Sequence, residues 1–424
     1  PGGDRMTKQL RRLSVVVLLM FVSLFAATSV IQVALAGDLN ENPENRRTLY
    51  ESYEVQRGTV FAGSTAIASS EPSDDVYSWI RTYPDAEMWA PVTGFINPVL
   101  RSSTGLERAM NAALAGTGSQ QFLTRLDQIV SGQPPRGSNV LLSLDPDVQR
   151  VAYDALDGLE GAVVAMEPDT GRILAMATSP SFDTNLLASH NSSEVNAADQ
   201  QLQADPLRPL INRVTEETDP PGSTFKLVVA SAALASGEYT PESTFDNPAE
   251  FTLPGTDNIL HNFDRGTCGP GETTTLETAL RLSCNIPMAE LALELGDDAI
   301  REQAQKFGFN SAFEIPLDVT ASSYPEGFDE PQTALSGIGQ TDVRATPLQM
   351  AMVAAGIAND GVVMNPRMVD RVVAADLTVQ DEPANTQFGE ALTPEVAETM
   401  TTLMIGNVQN GAASGARIDG VDVA

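Results

Sequence analysis

Apolar residues fall into two regimes along this 424-residue chain. Positions 13–36, LSVVVLLMFVSLFAATSVIQVALA, form a 24-residue stretch without a charge. As a helix it would be about 36 Å long, enough to cross a hydrocarbon core of ~30 Å. Beyond it, apolar positions recur with the periods of folded secondary structure. Asp145-Pro146 opens a helix, Asp as N-cap and Pro in the first turn; Val148, Val151, Ala152, Ala155 and Leu156 form its core face and Gly158 ends it. Positions 161–166 read as a buried strand, Pro168-Asp169-Thr170-Gly171 as a hairpin turn, and 172–177 as the returning strand. An amphipathic helix starts near Ser223, with Phe225, Val228, Val229, Ala232 and Ala233 facing the core, and Gly237 stops it. Helices follow at about 274–281 and 287–295. Thr346-Pro347 and Thr393-Pro394 each pair an N-cap with Pro at the first helical position; Leu348, Met352 and Ala355, then Val396, Met400 and Leu403, follow at core spacing. Positions 421–424 alternate like the start of a strand. An antiparallel pair packed behind a helix makes the fold class α+β rather than a βαβ array.

Positions 37–135 are polar and weakly periodic. Val60, Ile67, Trp79, Trp89, Val92, Phe95 and Ile96 are too many large apolar residues for a disordered spacer, so a small irregular α+β module is expected. The breaker cluster at 132–138, GQPPRGS, marks a boundary. The expected organisation is a cytoplasmic tail at 1–12, a transmembrane anchor at 13–36, an N-terminal module at 37–137 and a main domain at 138–424. Arg5, Lys8, Arg11 and Arg12 precede the apolar run, and Asp38, Glu41 and Glu44 follow it. The positive-inside rule then keeps the N-terminus in the cytoplasm and exports the body. Ala34-Leu35-Ala36 also resembles a signal-peptide cleavage site, although the run is long for a signal sequence. Both readings export the body.

Composition narrows the chemistry. Hydrophobic residues make up 42% and charged residues 19%, which suits a large core, and the formal net charge of −31 argues against nucleic-acid binding. Two histidines (His190, His261) and two cysteines (Cys268, Cys284) are too few and too scattered for structural zinc. Neither a G-x-S-x-G elbow, a P-loop nor a G-x-G-x-x-G fingerprint is present, so no metal or cofactor is expected. Export would let Cys268 and Cys284 form a disulfide; the alternative is two buried thiols.

The residues that carry chemistry are Ser223 and Lys226, in Pro221-Gly222-Ser223-Thr224-Phe225-Lys226. Positions i and i+3 share a helix face, so the amine reaches toward the hydroxyl. The chain has only three lysines, Lys8, Lys226 and Lys306. A lysine desolvated into its neutral form is a base for serine, and a helix N-terminus stabilises a developing oxyanion. Taken alone, the pattern equally describes a capping serine beside a solvated lysine. Ser283-Cys284-Asn285, 60 residues downstream between two helices, adds a hydroxyl and an amide that a loop could bring back to Lys226, although S-x-N alone is also a capping turn.

Together these elements resemble the class B penicillin-binding proteins, which carry S-x-x-K, an S-x-N-type element and K-T-G. Further stretches strengthen the resemblance. Arg57-Gly58-Thr59-Val60-Phe61 is similar to their R-G-x-I segment and Thr104-Gly105-Leu106-Glu107 to T-G-L-E. Gly161 through Gly171 resembles the opening of the transpeptidase domain, and Pro180-Ser181-Phe182-Asp183-Thr184-Asn185 resembles P-S-F-D-P-N. Gly337-Ile338-Gly339-Gln340 with Thr346-Pro347-Leu348-Gln349 is similar to the G-x-G-Q…T-P-L-Q run. The short N-terminal module, without a glycosyltransferase domain, resembles the A-type actinobacterial members.

The resemblance implies a penicillin-binding/β-lactamase-like transpeptidase domain, an antiparallel sheet flanked by helices, with residues 37–137 as a pedestal or dimerisation-like module. It implies a D,D-transpeptidase that binds β-lactams and cross-links peptidoglycan stem peptides ending in D-Ala-D-Ala. Ser223 would be the nucleophile, Lys226 its base, Ser283 a proton relay and Asn285 the holder of the substrate amide. Gly337, Gly339 and Gln340 would shape the substrate site. A glycan-polymerising glycosyltransferase is the expected partner. No stretch of the chain carries K-T-G, and positions 421–424 fall where the family reads into that strand. The chain is therefore expected to be C-terminally incomplete and, as given, nearly inactive. The alternatives are a D,D-carboxypeptidase or β-lactamase-type hydrolase, and a non-catalytic envelope scaffold or sensor.

Overall fold

The computed structural model describes residues 3–31, 53, 55–118, 136–313 and 315–424, with side chains from residue 11 onward. The end of the expected anchor, positions 32–36, and most of the breaker cluster lie outside the described residues. The first helix, α1 (Gly3–Ser29), is apolar and long enough over Arg11–Ser29 to cross a bilayer, and that span is not buried by any of the described residues.

The N-terminal module starts with three strands, β1 (Val60–Ala62), β2 (Thr65–Pro72) and β3 (Trp79–Thr82), followed by α2 (Ala86–Thr93). They do not form a separate sheet. Across the expected boundary at 137, β4 (Asn139–Leu142) pairs in parallel with β1, Val60 opposite Val140. Two strands from much later in the chain, β7 (Val369–Val373) and β8 (Val379–Asp381), complete a six-stranded sheet of order β8-β7-β4-β1-β2-β3. One core of Val60, Ile67, Trp89, Leu106, Val140, Leu142, Met368 and Val372 lies on both sides of that boundary. The module and the body therefore share a sheet and its apolar filling. Gly58 makes the junction possible: a Cβ there would lie 1.8 Å from the Ser138 carbonyl oxygen.

Helix α3 (Pro146–Asp154) begins as expected, with the Asp145 carboxylate accepting from the Asp147 and Val148 N–H groups. Its buried face differs from the apolar count. Val148 and Val151 are exposed, while Gln149 is fully buried. The Gln149 amide accepts from Met176 N–H at 2.7 Å and donates to the carbonyls of Met88 (3.1 Å) and Met176 (2.9 Å). Three hydrogen bonds compensate its burial, and the apolar residues Ala152 and Leu156 complete the packing on the hairpin behind it. That hairpin, β5 (Gly161–Met166) with β6 (Ile173–Ser179), is antiparallel as predicted, Val163 opposite Ala177.

The half of the chain that carries Ser223 is helical. Ser223 lies in a 3-10 turn, Gly222–Phe225, and the α-helix proper, α4 (Lys226–Ser236), starts at the lysine. The helix is not amphipathic: Lys226, Val228–Ala233 and Leu234 are buried around nearly its whole circumference. An apolar helix of this kind is the centre of a core rather than its edge. Gly237 ends it in the left-handed conformation, φ 75°. Around α4 pack α5 (Leu276–Arg281), α6 (Ile286–Leu295), α7 (Pro347–Ala358) and α8 (Pro394–Asn410). Thr346 and Thr393 cap α7 and α8 through their side-chain oxygens. Positions 421–424 are not a strand. The chain reverses at Gly420 (φ 78°), Val421 N–H bonds to the Ile418 carbonyl, and Val423 and Ala424 face the cavity beside Ser223. Alternation yields a strand only where a neighbouring ladder receives it.

Candidate active site

The serine turn is set by close packing from behind. Phe225, fully buried, meets Phe309 edge-on at 5.4 Å between ring centres and stacks on Tyr324 at 5.8 Å. Gly222 N–H donates to the Gly339 carbonyl at 3.0 Å. Gly339 has φ +66°, and a Cβ on it would lie 2.2 Å from the Gly222 carbonyl oxygen. Gly339 thus lets the 337–340 loop press directly on the turn that carries Ser223. Gly337 packs against Met288 and Ala292 of α6. Neither glycine nor Gln340 lines the cavity in front of the serine; Gly339 presses on the serine turn from behind, while Gln340 is exposed and its N–H donates to the Leu335 carbonyl.

Within the 3-10 turn, residues i and i+3 eclipse, so Ser223 and Lys226 point along one edge. Ser223 is exposed, and its hydroxyl makes no hydrogen bond among the described residues. Lys226 is 2% exposed. Its Nζ lies 2.8 Å from the Ser283 carbonyl, 2.9 Å from Asn285 Oδ1 and 3.2 Å from Ser283 Oγ. Among the described residues no carboxylate contacts it. Burial alone therefore pushes the amine down to about 7. A neutral amine has two N–H donors and one lone pair. The two carbonyl-type oxygens suit the donors, which leaves the lone pair to accept from the Ser283 hydroxyl. Both serines and the lysine open onto one cavity of about 400 Å³, walled mainly by Leu227, Leu280, Leu403, Met404 and Val408.

The Ser283–Asn285 turn is held from outside its own helix pair. A disulfide joins Cys284 to Cys268, Cα–Cα 5.7 Å. Cys268 sits on the loop between Asn247 and Gly271, where the Asn247 amide bonds the backbone of residues 268, 269 and 271. The same loop supplies His261 and Asn262. The Asn285 Nδ2 donates to the His261 carbonyl at 2.9 Å. That bond selects the amide orientation with Oδ1 toward Lys226, because a flipped amide would set oxygen against oxygen.

The model of the penicillin binding protein transpeptidase domain matches residues 161–424, and that of the penicillin binding protein A dimerisation domain matches residues 57–140. The chain belongs to the penicillin-binding protein transpeptidase family. It is 41% identical to the peptidoglycan D,D-transpeptidase PbpA of Mycolicibacterium smegmatis, over 97% of this chain and 86% of that protein. It is 39% identical to the PbpA of Mycobacterium tuberculosis, over 99% of this chain and 86% of that one. Among solved structures, the imipenem acyl-enzyme complex of penicillin-binding protein A from M. tuberculosis superimposes with a TM-score of 0.85 at 39% identity, covering 88% of this chain and 87% of that one. The penicillin G acyl-enzyme complex of the same protein gives 0.83 at 39% identity, covering 87% and 85%.

Membership of this transpeptidase family gives the segments of the N-terminal module a physical meaning. The R-G and T-G-L-E segments meet at one buried carboxylate. Arg57 Nε donates to Glu107 Oε2 at 2.9 Å, and Arg81 Nε donates to Glu107 Oε1 at 2.5 Å. Arg57 also donates to the Glu107 carbonyl (3.0 Å) and to Asn111 Oδ1 (2.6 Å). Burial by itself raises the Glu107 carboxyl; the charges of Arg81 and Arg57 and their hydrogen bonds outweigh it and hold the group below the usual carboxylate range.

Of the four residues expected at the site, Ser283 and Asn285 contact Lys226, and Ser223 shares a cavity with Lys226 and Ser283 without a hydrogen bond to either among the described residues. Sequence reasoning missed Asn262, His261, Asn247 and Arg81. Single asparagines and arginines carry no periodic or motif signal. The Asn-Phe-Asp-Arg-Gly turn at 262–266 was the one local hint that a structured loop stands there.

Proposed function

We infer that the chain is a peptidoglycan D,D-transpeptidase that works through a serine acyl-enzyme and binds penicillin. Ser223 Oγ attacks the carbonyl of the penultimate D-alanine of a stem peptide, and its proton passes to the Lys226 amine, directly or through Ser283. The tetrahedral intermediate collapses, the C–N bond breaks, and the departing D-alanine takes the proton. An amine from a neighbouring stem then attacks the ester. It loses a proton to the same base, forms the cross-linking amide and returns Ser223 to its hydroxyl. Asn285 would hold the substrate amide, while Gly339 supports the serine turn.

The observation that carries this reading is the Lys226 amine: buried, without a counter-ion, tuned to about 7 and facing the cavity that holds Ser223. A β-lactam presents a strained amide to the same serine; penicillin-binding protein A of M. tuberculosis forms acyl-enzyme complexes with imipenem and penicillin G. Among the described residues, no Asp, Glu or His side chain lines the cavity as a dedicated water-activating base. Helix α1 would anchor the protein in the membrane with residues 1–12 in the cytoplasm, residues 37–137 would serve as a pedestal fused to the body at 138–424, and a glycan-polymerising glycosyltransferase would supply the strands to be cross-linked.

Mass spectrometry of the full-length protein after incubation with penicillin G tests the reading. A covalent adduct on the peptide holding Ser223, absent in Ser223→Ala, is expected. An adduct that persists in Ser223→Ala would overturn it.

A further inference from the structure

The turn that presents oxygens to Lys226 is strained and lacks its own support. Ser283 has φ 55°, a left-handed conformation that costs a non-glycine residue about 1 kcal/mol or more. Helix α6 starts immediately after it, with Asn285 at the N-cap position. An N-cap asparagine ordinarily turns its oxygen to the N–H of the second or third helical residue. Asn285 makes no such bond: its backbone is already helical (φ −90°, ψ −45°), the second helical residue is Pro287, and its Oδ1 accepts from Lys226. The N–H groups of Asn285 itself and of the first helical residue are satisfied from the 247–271 loop. The N–H groups of Asn285 (2.8 Å) and Ile286 (3.1 Å) both donate to Asn262 Oδ1. The other end of that amide, Nδ2, donates to the Gly266 carbonyl at 2.9 Å, which fixes its orientation, and the side chain is buried at 5% exposure.

Resting on the transpeptidase reading above, we propose that Asn262 is a positioning residue for acylation. From a separate loop it accepts from the first two N–H groups at the start of helix α6, and so fixes the backbone from which Ser283 and Asn285 present their oxygens to Lys226. Without Asn262 these two N–H groups lose their acceptor, the 283–286 backbone shifts to satisfy them, and Lys226 loses acceptors and gains access to water. His261, beside it in sequence, turns its imidazole to the Ala249 carbonyl at 3.3 Å and contributes only its backbone carbonyl to Asn285.

The test uses the full-length protein and two variants, Asn262→Ala and Asn262→Asp. Acylation by a fluorescent penicillin is followed as a function of pH, and the lysine side-chain resonances are followed by NMR in isotope-labelled protein. Three lysines in the whole chain make the Lys226 resonance separable. In Asn262→Ala the plateau acylation rate constant should fall about tenfold, the loss of one cap. Its Lys226 midpoint and acidic limb should both move upward from about 7, toward the ordinary lysine value of 10.5. Asn262→Asp keeps the acceptor and should restore the plateau to within about threefold of wild type. A wild-type protein that acylates at Ser223 and an Asn262→Ala variant with the same rate and the same lysine midpoint would overturn this inference and leave the transpeptidase reading intact. Equal impairment of both variants would also overturn it, since packing rather than the acceptor would then matter. Should Asn262→Ala not fold, Asn262→Asp decides alone: a wild-type plateau supports the proposal and a tenfold loss overturns it. A wild-type protein without an adduct at Ser223 would remove the transpeptidase reading and this inference with it.

Discussion

Arg57 in the N-terminal module and Lys226 in the catalytic half are both cationic side chains taken almost wholly out of water, at 5% and 2% exposure. Arg57 faces a carboxylate that Arg81 shares. Lys226 faces two carbonyl-type oxygens and a hydroxyl, all uncharged. Each must offset a desolvation cost of several kcal/mol. The paired arginine does so by Coulomb attraction and bidentate hydrogen bonding and keeps its charge. The unpaired lysine gives up its charge near neutrality, and becomes a base. Counter-ion placement thus separates a structural ion cluster from a chemical one in the same chain.

Removing the shared carboxylate tests the structural side most severely. Glu107→Gln leaves two buried guanidinium groups without a partner, and should cost ~3–5 kcal/mol in urea unfolding. A loss under ~1 kcal/mol would mean that the arginines find other partners or water. The catalytic side should respond in the opposite sense. Lys226→Met removes the base and should slow penicillin acylation by ~10²–10⁴-fold. The same change removes a group that resists burial in its charged form, so stability at pH 7 should rise by ~2 kcal/mol or more. Slower acylation together with lower stability would contradict the account of Lys226.

The two sites should also answer pH differently. Between about 7 and its ordinary value of 10.5, Lys226 is neutral when folded and protonated when unfolded. The unfolded chain binds the extra proton there, so stability rises with pH through that window and the penalty is fully present below it. The acylation rate should fall about tenfold per pH unit on the acid side of 7. Glu107, held below its ordinary 4.5, contributes stability above that value and loses it as pH falls further. An acylation limb centred near pH 4 to 5 would assign the base to a carboxylate instead. The smallest effect is expected for Arg57→Lys. It keeps the charge but loses the fork that reaches both Glu107 and Asn111, at about 1–2 kcal/mol in thermal unfolding and with acylation unchanged.

Much of this was legible in the linear pattern because it is local. The caps at Asp145, Thr346 and Thr393 act within three residues of themselves, and the hairpin at 161–179 closes over a four-residue turn. The spacing of Ser223 and Lys226 survives the change from α-helix to 3-10 turn because i and i+3 neighbour each other in both. The errors arose where a face had to be chosen. Counting apolar residues put Val148 and Val151 inside, yet the fold buries Gln149, since an amide with three partners packs as well as a valine and ties together the segments at Met88 and Met176. It also gave α4 a solvent face that the surrounding helices remove.

The amino-acid sequence by itself determined where helices begin and end, that a long apolar helix precedes the body, and which hydroxyl, amine and amide were available for acyl transfer. Only the tertiary structure decided how they are used. It joined β1 to β4 and β7 in one sheet across the expected domain boundary, set Glu107 between two arginines, and brought Asn262 to the start of a helix 24 residues away. The reason is that caps and turns are governed by interactions within a few residues. Protonation and side-chain orientation depend on how much water is excluded and on which partners arrive from elsewhere in the chain.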